Sequence, residues 1–569
     1  MDLDTDLDTT TLVGRRADGR HERLSLGDLL ERVVWSRPER TALVGHPGAS
    51  AVPGCDRLTY RQADEAANRI AHALLDSGVR QGDRMAMLCD NSVEALLLKI
   101  GAAKAGVVAA PLNPLMAPDV LTALLGRVEP AFAVVDADLW GRSAAAFEAA
   151  GARPAVTIEL GGSAVADTVG FSDWIAGRPA TEVDVRVHGD DICELLFSSG
   201  TTALPKAVMV SHTYAYMCGY SFALPLTRGL AHADELRVGT FLPVVFHGGH
   251  MASVVPTFLC GGTLVVGRRH DPAGTVDAVV TEGVTALWAG SPQLVESVVA
   301  HAERAGVTLP SLRVGIFAWR SMDPALRTRL ETVAGGAVEL VEILAQTEAL
   351  VGVRFALRQW EDTYLATAPE QNVVGLPDPL VAADVVDAVG RSVRDRPGVP
   401  GEVVYRSPAL AAGYYRDPEA TREAFRDGWF HSGDSCTVRE DGLFVMVDRF
   451  KDIVKSGGEN VSSQRVESVL LGHPTVERAA VIGVPDERWG EAVTGVVVAR
   501  PGAVVDETEV IAHCRARLAG YETPKRVVVV DALPETVGGK VRKHALRAQL
   551  AEQDAAVPHL TNGDEWTTA

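Results

Sequence analysis

Apolar positions along this chain fall into two alternating rhythms. Ala67, Ile70, Ala71 and Leu74 recur at helical spacing, and Arg84 to Leu88 then reads as a strand. Asp90, Asn91 and Ser92 offer a cap for a second helix, after which Val107 to Pro111 reads as the next strand. The same alternation returns at Thr263 to Val266, Val276 to Glu282 and Ala286 to Trp288, which predicts crossover βα units and a largely parallel sheet. The character changes near Asp448 to Lys455. Beyond it, short strands at Ala479 to Val484, Val493 to Ala499 and Val527 to Val530, with a helix around Val510 to Leu518, predict a separate small α+β domain. Residues 1–22 and 552–569 are polar without periodicity and read as loose ends. The expected organisation is α/β: a large domain over residues 23–449, a charged hinge at 450–453 and a small domain over 454–551.

A chain of 569 residues is too long for one core, and a hydrophobic content of 47% with 22% charged residues is ordinary for a globular enzyme. The net charge of -20 argues against nucleic acid or an anionic membrane as partner, so any phosphate site must be locally basic. The N-terminus is acidic where a secretory signal would be basic and then apolar, and the most apolar stretch, Ser92 to Leu112, is interrupted by Lys99 and Lys104. Seven scattered cysteines without a CxxC pair fit reduced thiols, so a cytoplasmic protein is expected.

Candidate chemistry begins at Leu195 to His212, LLFSSGTTALPKAVMVSH. Two apolar runs bracket a loop with hydroxyls on Ser198, Ser199, Thr201 and Thr202, a flexible Gly200 and a point charge on Lys206. This layout suits a phosphate, although it lacks the Gly-Lys-Ser/Thr triplet of a P-loop. Further segments follow in order: EILAQTEAL (342–350), GEVVYRSPALAAGYY (401–415), GWFHSGD (428–434), DRFKDIVKSGGENVSSQRVE (448–467) and LPETVGGKVRK (533–543).

This ordered set resembles the adenylate-forming superfamily of acyl-CoA synthetases, stand-alone adenylation enzymes and luciferases, over about residues 55–548. The resemblance implies a large domain of α/β subdomains with a small mobile lid. It also implies a two-step reaction in which a carboxylic acid attacks the α-phosphate of ATP and a thiol then displaces AMP. Stabilising charge at phosphate calls for Mg²⁺ and lysine. By the same resemblance Glu348 and Thr202 serve the metal, Thr347 and Gln346 the phosphate turn, and Lys540 bridges carboxylate and phosphate. Asp434 accepts from the ribose hydroxyls and Arg449 reaches the same sugar and phosphate. Lys451 marks the pivot about which the small domain turns to present Ser456, Gly457, Gly458 and Glu459 to CoA. His247, Gly248, Gly249 and Ala318 are expected to wall the acyl pocket. The HGGH spacing of His247 and His250 could suggest a metal, but no further ligand lies nearby in sequence, and a structural role for His250 is the simpler expectation.

Departures from the family pattern cluster on the nucleotide side. Alanine stands at Ala203 and Ala207 where the family has glycine, which would cost on the order of 1 kcal/mol at each point if φ must be positive there. Leu344 and Ala345 replace Tyr-Gly, removing the aromatic platform under adenine. Ala318, Trp319, Arg320 and Ser321 replace a Gly-Gly-Ala-Pro-like cradle, so Trp319 either stacks on the base or blocks it. One reading is therefore an enzyme confined to the second step, joining CoA to an acyl-adenylate supplied by a companion adenylating enzyme. The alternatives are an ordinary two-step ATP-dependent acyl-CoA synthetase, an enzyme loading a carrier protein, and a non-catalytic binding homologue. The acid itself is not legible, beyond a hint of a bulky apolar group.

Overall fold

The computed structural model of the protein describes residues 23–197, 204–244, 247–486, 488–536 and 539–556. Both loose ends, apart from residues 552–556, and the loop 198–203 lie outside the described residues. The chain divides into two compact units, one of residues up to Ser432 plus Cys436–Val445, the other of Gly433–Ser435 plus everything from Met446 onward.

The first unit contains two sheets. In the smaller, the strands run in the order Val169–Gly170, Val156–Ile158, Phe132–Asp136, Arg84–Leu88, Val108–Pro111, Ile192–Phe197 and Ala207–Ser211. All are parallel until the last pair, which is an antiparallel hairpin. Crossover helices make the parallel register possible. Val93–Lys104, one such helix, joins Arg84–Leu88 to Val108–Pro111 and opens on Ser92, whose hydroxyl accepts from the amide of Ala95; Tyr60–Asp76, which leads into the sheet, opens on a capping box between Thr59 and Gln62.

Every residue of the helix Val93–Lys104 is buried, including its lysines. Lys104 is paired with Asp64 at 3.0 Å and Glu182 at 2.6 Å, and Lys99 with Glu194 at 2.9 Å. What reads in sequence as an interrupted apolar stretch is thus a central helix whose charges are neutralised in place. Among the described residues, no helix is long and apolar enough to cross a membrane.

The larger sheet carries a parallel centre, Thr263–Val266, Arg237–Thr240, Ala286–Gly290, Val314–Ala318 and Glu339–Gln346, flanked by Thr41–Gly45 on one side. On the other side Ala349–Ala356 turns back antiparallel on Glu339–Gln346. Helices Pro272–Glu282, Pro292–Ala305 and Pro324–Ala334 pack on one face, each with proline in its first turn and each closed by a left-handed glycine, Gly283, Gly306 and Gly335.

The second unit has its own sheet, ordered Glu459–Val461, Val454–Ser456, Gly490–Ala499 and Val476–Asp486, with Arg526–Val529 parallel to Gly490–Ala499. Its core gathers Val454, Val466, Leu470, Val481, Val493, Val497, Val510 and Val527. The helix expected near 510–518 runs Glu507–Arg515, three residues earlier, because Asp506 caps it by accepting from the amide of Glu509. The final helix, Lys543–Ala556, extends past residue 551, with Leu546 and Leu550 buried on its inner face.

Candidate active site

In the first unit the site is built around a two-residue turn. Strands Glu339–Gln346 and Ala349–Ala356 pair through Gln346 and Ala349, leaving Thr347 and Glu348 at the tip. Three groups hold that tip. The hydroxyl of Tyr214, on the helix His212–Leu226, donates to the carbonyl of Thr347 and accepts from the amide of Leu350, both at 3.0 Å. The amide of Ala411 donates to the carbonyl of Glu348 at 2.9 Å. Tyr414 donates its hydroxyl to Oε1 of Glu348 at 2.8 Å. Burial and the Glu348 carboxylate push the Tyr414 phenol far above its ordinary pKa, so it stays a donor. The side chain of Gln346 reaches the carbonyl of Ser432 at 3.2 Å.

Lys206 joins the same cluster. Its Nζ lies 4.5 Å from the centre of the Tyr414 ring, a cation–π distance. Segment 411–415 is hydrogen-bonded along the strand that follows Lys206: the amide of Met209 donates to the carbonyl of Gly413, and that of Tyr415 to Ala207. Tyr414 therefore ties the lysine of the Ser/Gly/Thr-rich loop to the carboxylate of the turn. Ser198, Ser199, Gly200, Thr201, Thr202 and Ala203 lie outside the described residues. Ala207 does not take a left-handed backbone; it starts a strand, paired with Phe197, so the expected cost of an alanine there is absent.

Trp319 takes a left-handed backbone, with φ +79°, a region that favours glycine. A bulky residue in that region is strained by roughly 1–3 kcal/mol. Its ring is partly exposed and meets Trp288 edge-on, with centroids 6.4 Å apart. Ala318 is buried at the end of its strand, whereas Leu344 and Ala345 are half-buried on theirs.

His247 begins a helical turn, His247–Gly249, that passes into a π-helical segment, His250–Val254. A side chain at Gly249 would collide with the carbonyl of Pro243, its Cβ falling 2.1 Å away, and one at Gly248 would touch Trp288. His250 is buried, and its Nδ1 lies 2.8 Å from both Lys99 Nζ and Glu194 Oε1. Burial and the nearby Lys99 charge hold His250 below the ordinary histidine range. Burial opposes the charge of Glu194 too, but Lys99 and His250 outweigh it and keep the carboxyl strongly acidic. The triad makes His250 structural, and among the described residues no group of three or more His, Cys, Asp or Glu could hold a metal by itself. A single carboxylate, Glu348, could hold a cation only if phosphate oxygens of a bound nucleotide completed the coordination.

An apolar cavity lies under the parallel sheet of the same unit, lined among others by Phe241, Trp288, Leu294, Gly315, Phe317 and Leu340. Trp288 is shared between this cavity and the His247–Gly249 turn.

The second unit gathers the other predicted residues. Arg449 Nε lies 3.0 Å from Oδ1 of the buried Asp434. The carbonyl of Lys540 accepts from the amide of Thr536 at 2.8 Å, beside an antiparallel bridge between Glu535 and Val541. Burial, then Arg449 and Lys451, push the Lys540 ammonium down to about 7 against the pull of Asp434 and Asp452. Lys451 is exposed beside buried Asp452. Ser456 and Glu459 pair across a two-residue hairpin whose turn is Gly457 and Gly458, at φ +62° and +87°. Both glycines are what a type I′ turn requires. A Cβ on Gly457 would also press on Trp489 at 3.0 Å. Ser456 is buried and Glu459 exposed.

Sequence reasoning missed Tyr214, Tyr414, Lys99 and Glu194. The doubled tyrosine of GYY and a glutamate inside an otherwise apolar strand, ICELLF, were the available signals.

Residues 30–415 match the family profile described as AMP-binding enzyme, and residues 465–540 that of the AMP-binding enzyme C-terminal domain. The chain is 35% identical to a feruloyl-CoA synthase of Amycolatopsis over 520 residues, covering 91% of this chain and 99% of that protein. It is 32% identical to a long-chain-fatty-acid–CoA ligase of Mycobacterium tuberculosis, covering 93% and 100%. Among solved structures, ATP-bound MatB from Rhodopseudomonas palustris superposes with a TM-score of 0.78 at 28% identity, covering 93% of this chain and 99% of that one.

Proposed function

We propose that this chain, which belongs to the AMP-binding enzyme family, is an ordinary ATP-dependent acyl-CoA ligase that carries out both half-reactions. A carboxylic acid is activated as an acyl-adenylate with release of pyrophosphate, and the thiol of CoA then displaces AMP. Relatives matched over nearly their full length are a CoA synthase and a CoA ligase, and a solved structure of the same fold holds ATP. Restriction to a supplied acyl-adenylate, with a companion enzyme, has no counterpart among them.

The observation that carries this reading is the bracing of the Thr347–Glu348 turn by Tyr214, Ala411 and Tyr414, with Lys206 over the same tyrosine. A turn serving only thioester formation would not need its carboxylate fixed beside a phosphate-binding lysine. Glu348 would hold a Mg²⁺ together with nucleotide phosphates, and that ion supplies neutralisation of developing phosphate charge. Lys206 adds a fixed positive charge next to it. Lys540, in its ammonium form, offers three donors that can bridge the attacking carboxylate and the α-phosphate. Asp434 and Arg449 serve the ribose, the carboxylate as acceptor from its hydroxyls. Ser456, Gly457, Gly458 and Glu459 serve the CoA arm, and Lys451 the pivot between the two steps. The acyl group enters past His247, Gly248, Gly249 and Ala318 into the cavity below Trp288.

The test is pyrophosphate release from ATP with a panel of aryl and alkyl acids, without CoA, followed by CoA addition. Acid-dependent pyrophosphate and then thioester is the expected result. Thioester from synthetic acyl-adenylate, with no pyrophosphate from any acid, would return the chain to the second step alone.

A further inference from the structure

Glu342 is a carboxyl group in the wrong surroundings. It occupies the middle of the strand Glu339–Gln346, is 1% exposed, and neither of its oxygens has a hydrogen-bond partner among the described residues. In the sheet it is registered between Phe317 on one neighbour and Phe355 on the other. Partners in register share a face, and residues two apart along a strand do so too. Phe317 lines the apolar cavity, and so do Leu340, two residues before Glu342, and its partner Gly315. Glu342 therefore stands on the cavity face, one step nearer the Thr347–Glu348 turn than the lining residue Leu340.

A buried carboxyl without a hydrogen-bond partner is costly, and one that persists calls for a group to satisfy it. Arg320 is close enough to act on its charge but hydrogen-bonds neither oxygen, and burial still pushes Glu342 up to about 8. A carboxyl that is largely neutral near pH 7 both donates and accepts. It suits a neutral polar group delivered into the cavity from outside.

Resting on the ligase reading above, we propose that Glu342 is the polar end of the acyl pocket and selects an aryl carboxylic acid that carries a hydrogen-bond donor, a hydroxyl or amino group, on its ring. The aromatic walls, Trp288, Phe241 and Phe317, take the ring; the donor pairs with Glu342 and leaves no buried polar atom unmet. A site built this way rejects the analogue lacking the donor, because binding it strands the carboxyl.

The experiment compares 4-hydroxycinnamate and 4-aminocinnamate with cinnamate. Each is read by quenching of tryptophan fluorescence, which needs no turnover, and by acid-dependent pyrophosphate release. Wild type is expected to favour the donor-bearing acids by at least about 10-fold in both readouts. Glu342→Leu should erase or reverse that preference while still binding cinnamate, and Glu342→Gln should retain most of it. The leucine variant should also unfold at higher temperature, since it removes an unsatisfied group, so loss of preference cannot be ascribed to misfolding. Equal binding of the three acids by wild type, or an unchanged preference in Glu342→Leu, overturns the proposal. Preference in binding that vanishes in Glu342→Leu, with no pyrophosphate from any acid, sustains the role of Glu342 and overturns the ligase reading instead.

Discussion

Tyr414 donates its hydroxyl to Glu348 at 2.8 Å while its ring lies under Lys206, so one phenol contacts both the carboxylate and the cation of the proposed phosphate site. Removing that hydroxyl leaves the ring, the lysine contact and the fold in place. In Tyr414→Phe, pyrophosphate release should fall by about 10- to 100-fold, the range for groups that orient a metal-binding residue, and the Mg²⁺ requirement should rise. Thioester formation from synthetic acyl-adenylate should change little. Equal loss in both half-reactions would mean that the tyrosine acts elsewhere.

The buried Lys99–Glu194–His250 triad should behave as a single structural unit. Replacing one member, as in Glu194→Gln or Lys99→Met, leaves a charge in the core without its partner and should cost about 3–5 kcal/mol in urea unfolding. Lys99→Met combined with Glu194→Leu should recover most of that loss. Single variants as stable as wild type would show that water reaches the triad.

Lys540 titrates where ordinary lysines do not. Its folded pKa is lowered to about 7, so its ammonium form is present below that pH and is lost as pH rises through it. Trace acylation should label Lys540 at a rate that climbs to a plateau just above pH 7, while exposed lysines continue to gain reactivity toward pH ~10. Bound acyl-adenylate, an anion, should draw the pKa upward and protect it. In the free enzyme, kcat/KM for pyrophosphate release should decline on the alkaline side of the same value. Labelling indistinguishable from that of exposed lysines would remove this argument.

Trp319 separates the two-step enzyme from one with a blocked nucleotide site. Trp319→Gly places glycine at φ +79° and empties the space beside Trp288. If the indole does not obstruct adenine, pyrophosphate release should change by less than about threefold, an effect under ~1 kcal/mol on the barrier. A rise of tenfold or more would revive the blocked-site reading.

Much of this was written in the chain. Regular apolar spacing marked the crossover units because parallel strands and their helices bury continuous faces, and that signal is local. Glu348, Asp434, Arg449 and Lys540 were singled out through motif order, and the structure pairs Glu348 with Tyr414 and Arg449 with Asp434. Other features were not legible because they depend on residues far apart. Lys99 and Glu194 are almost a hundred positions apart, and each alone looks like a flaw in an apolar run. Glu342 gave no periodic or motif signal, since its meaning comes from Phe317 and Phe355 on neighbouring strands. The expected strain at Ala207 rested on a glycine's place in a pattern; its backbone is simply extended.

The second compact unit is not one stretch of chain: residues 433–435 belong to it although the main body of the unit starts at 446. A fragment begun at Met446 would carry Arg449 and Lys540 without Asp434, leaving two cations with one fewer counter-charge between them. Attempts to exchange this unit between relatives should therefore carry Gly433–Ser435 from the same source as everything after Met446, or the graft would arrive electrostatically incomplete.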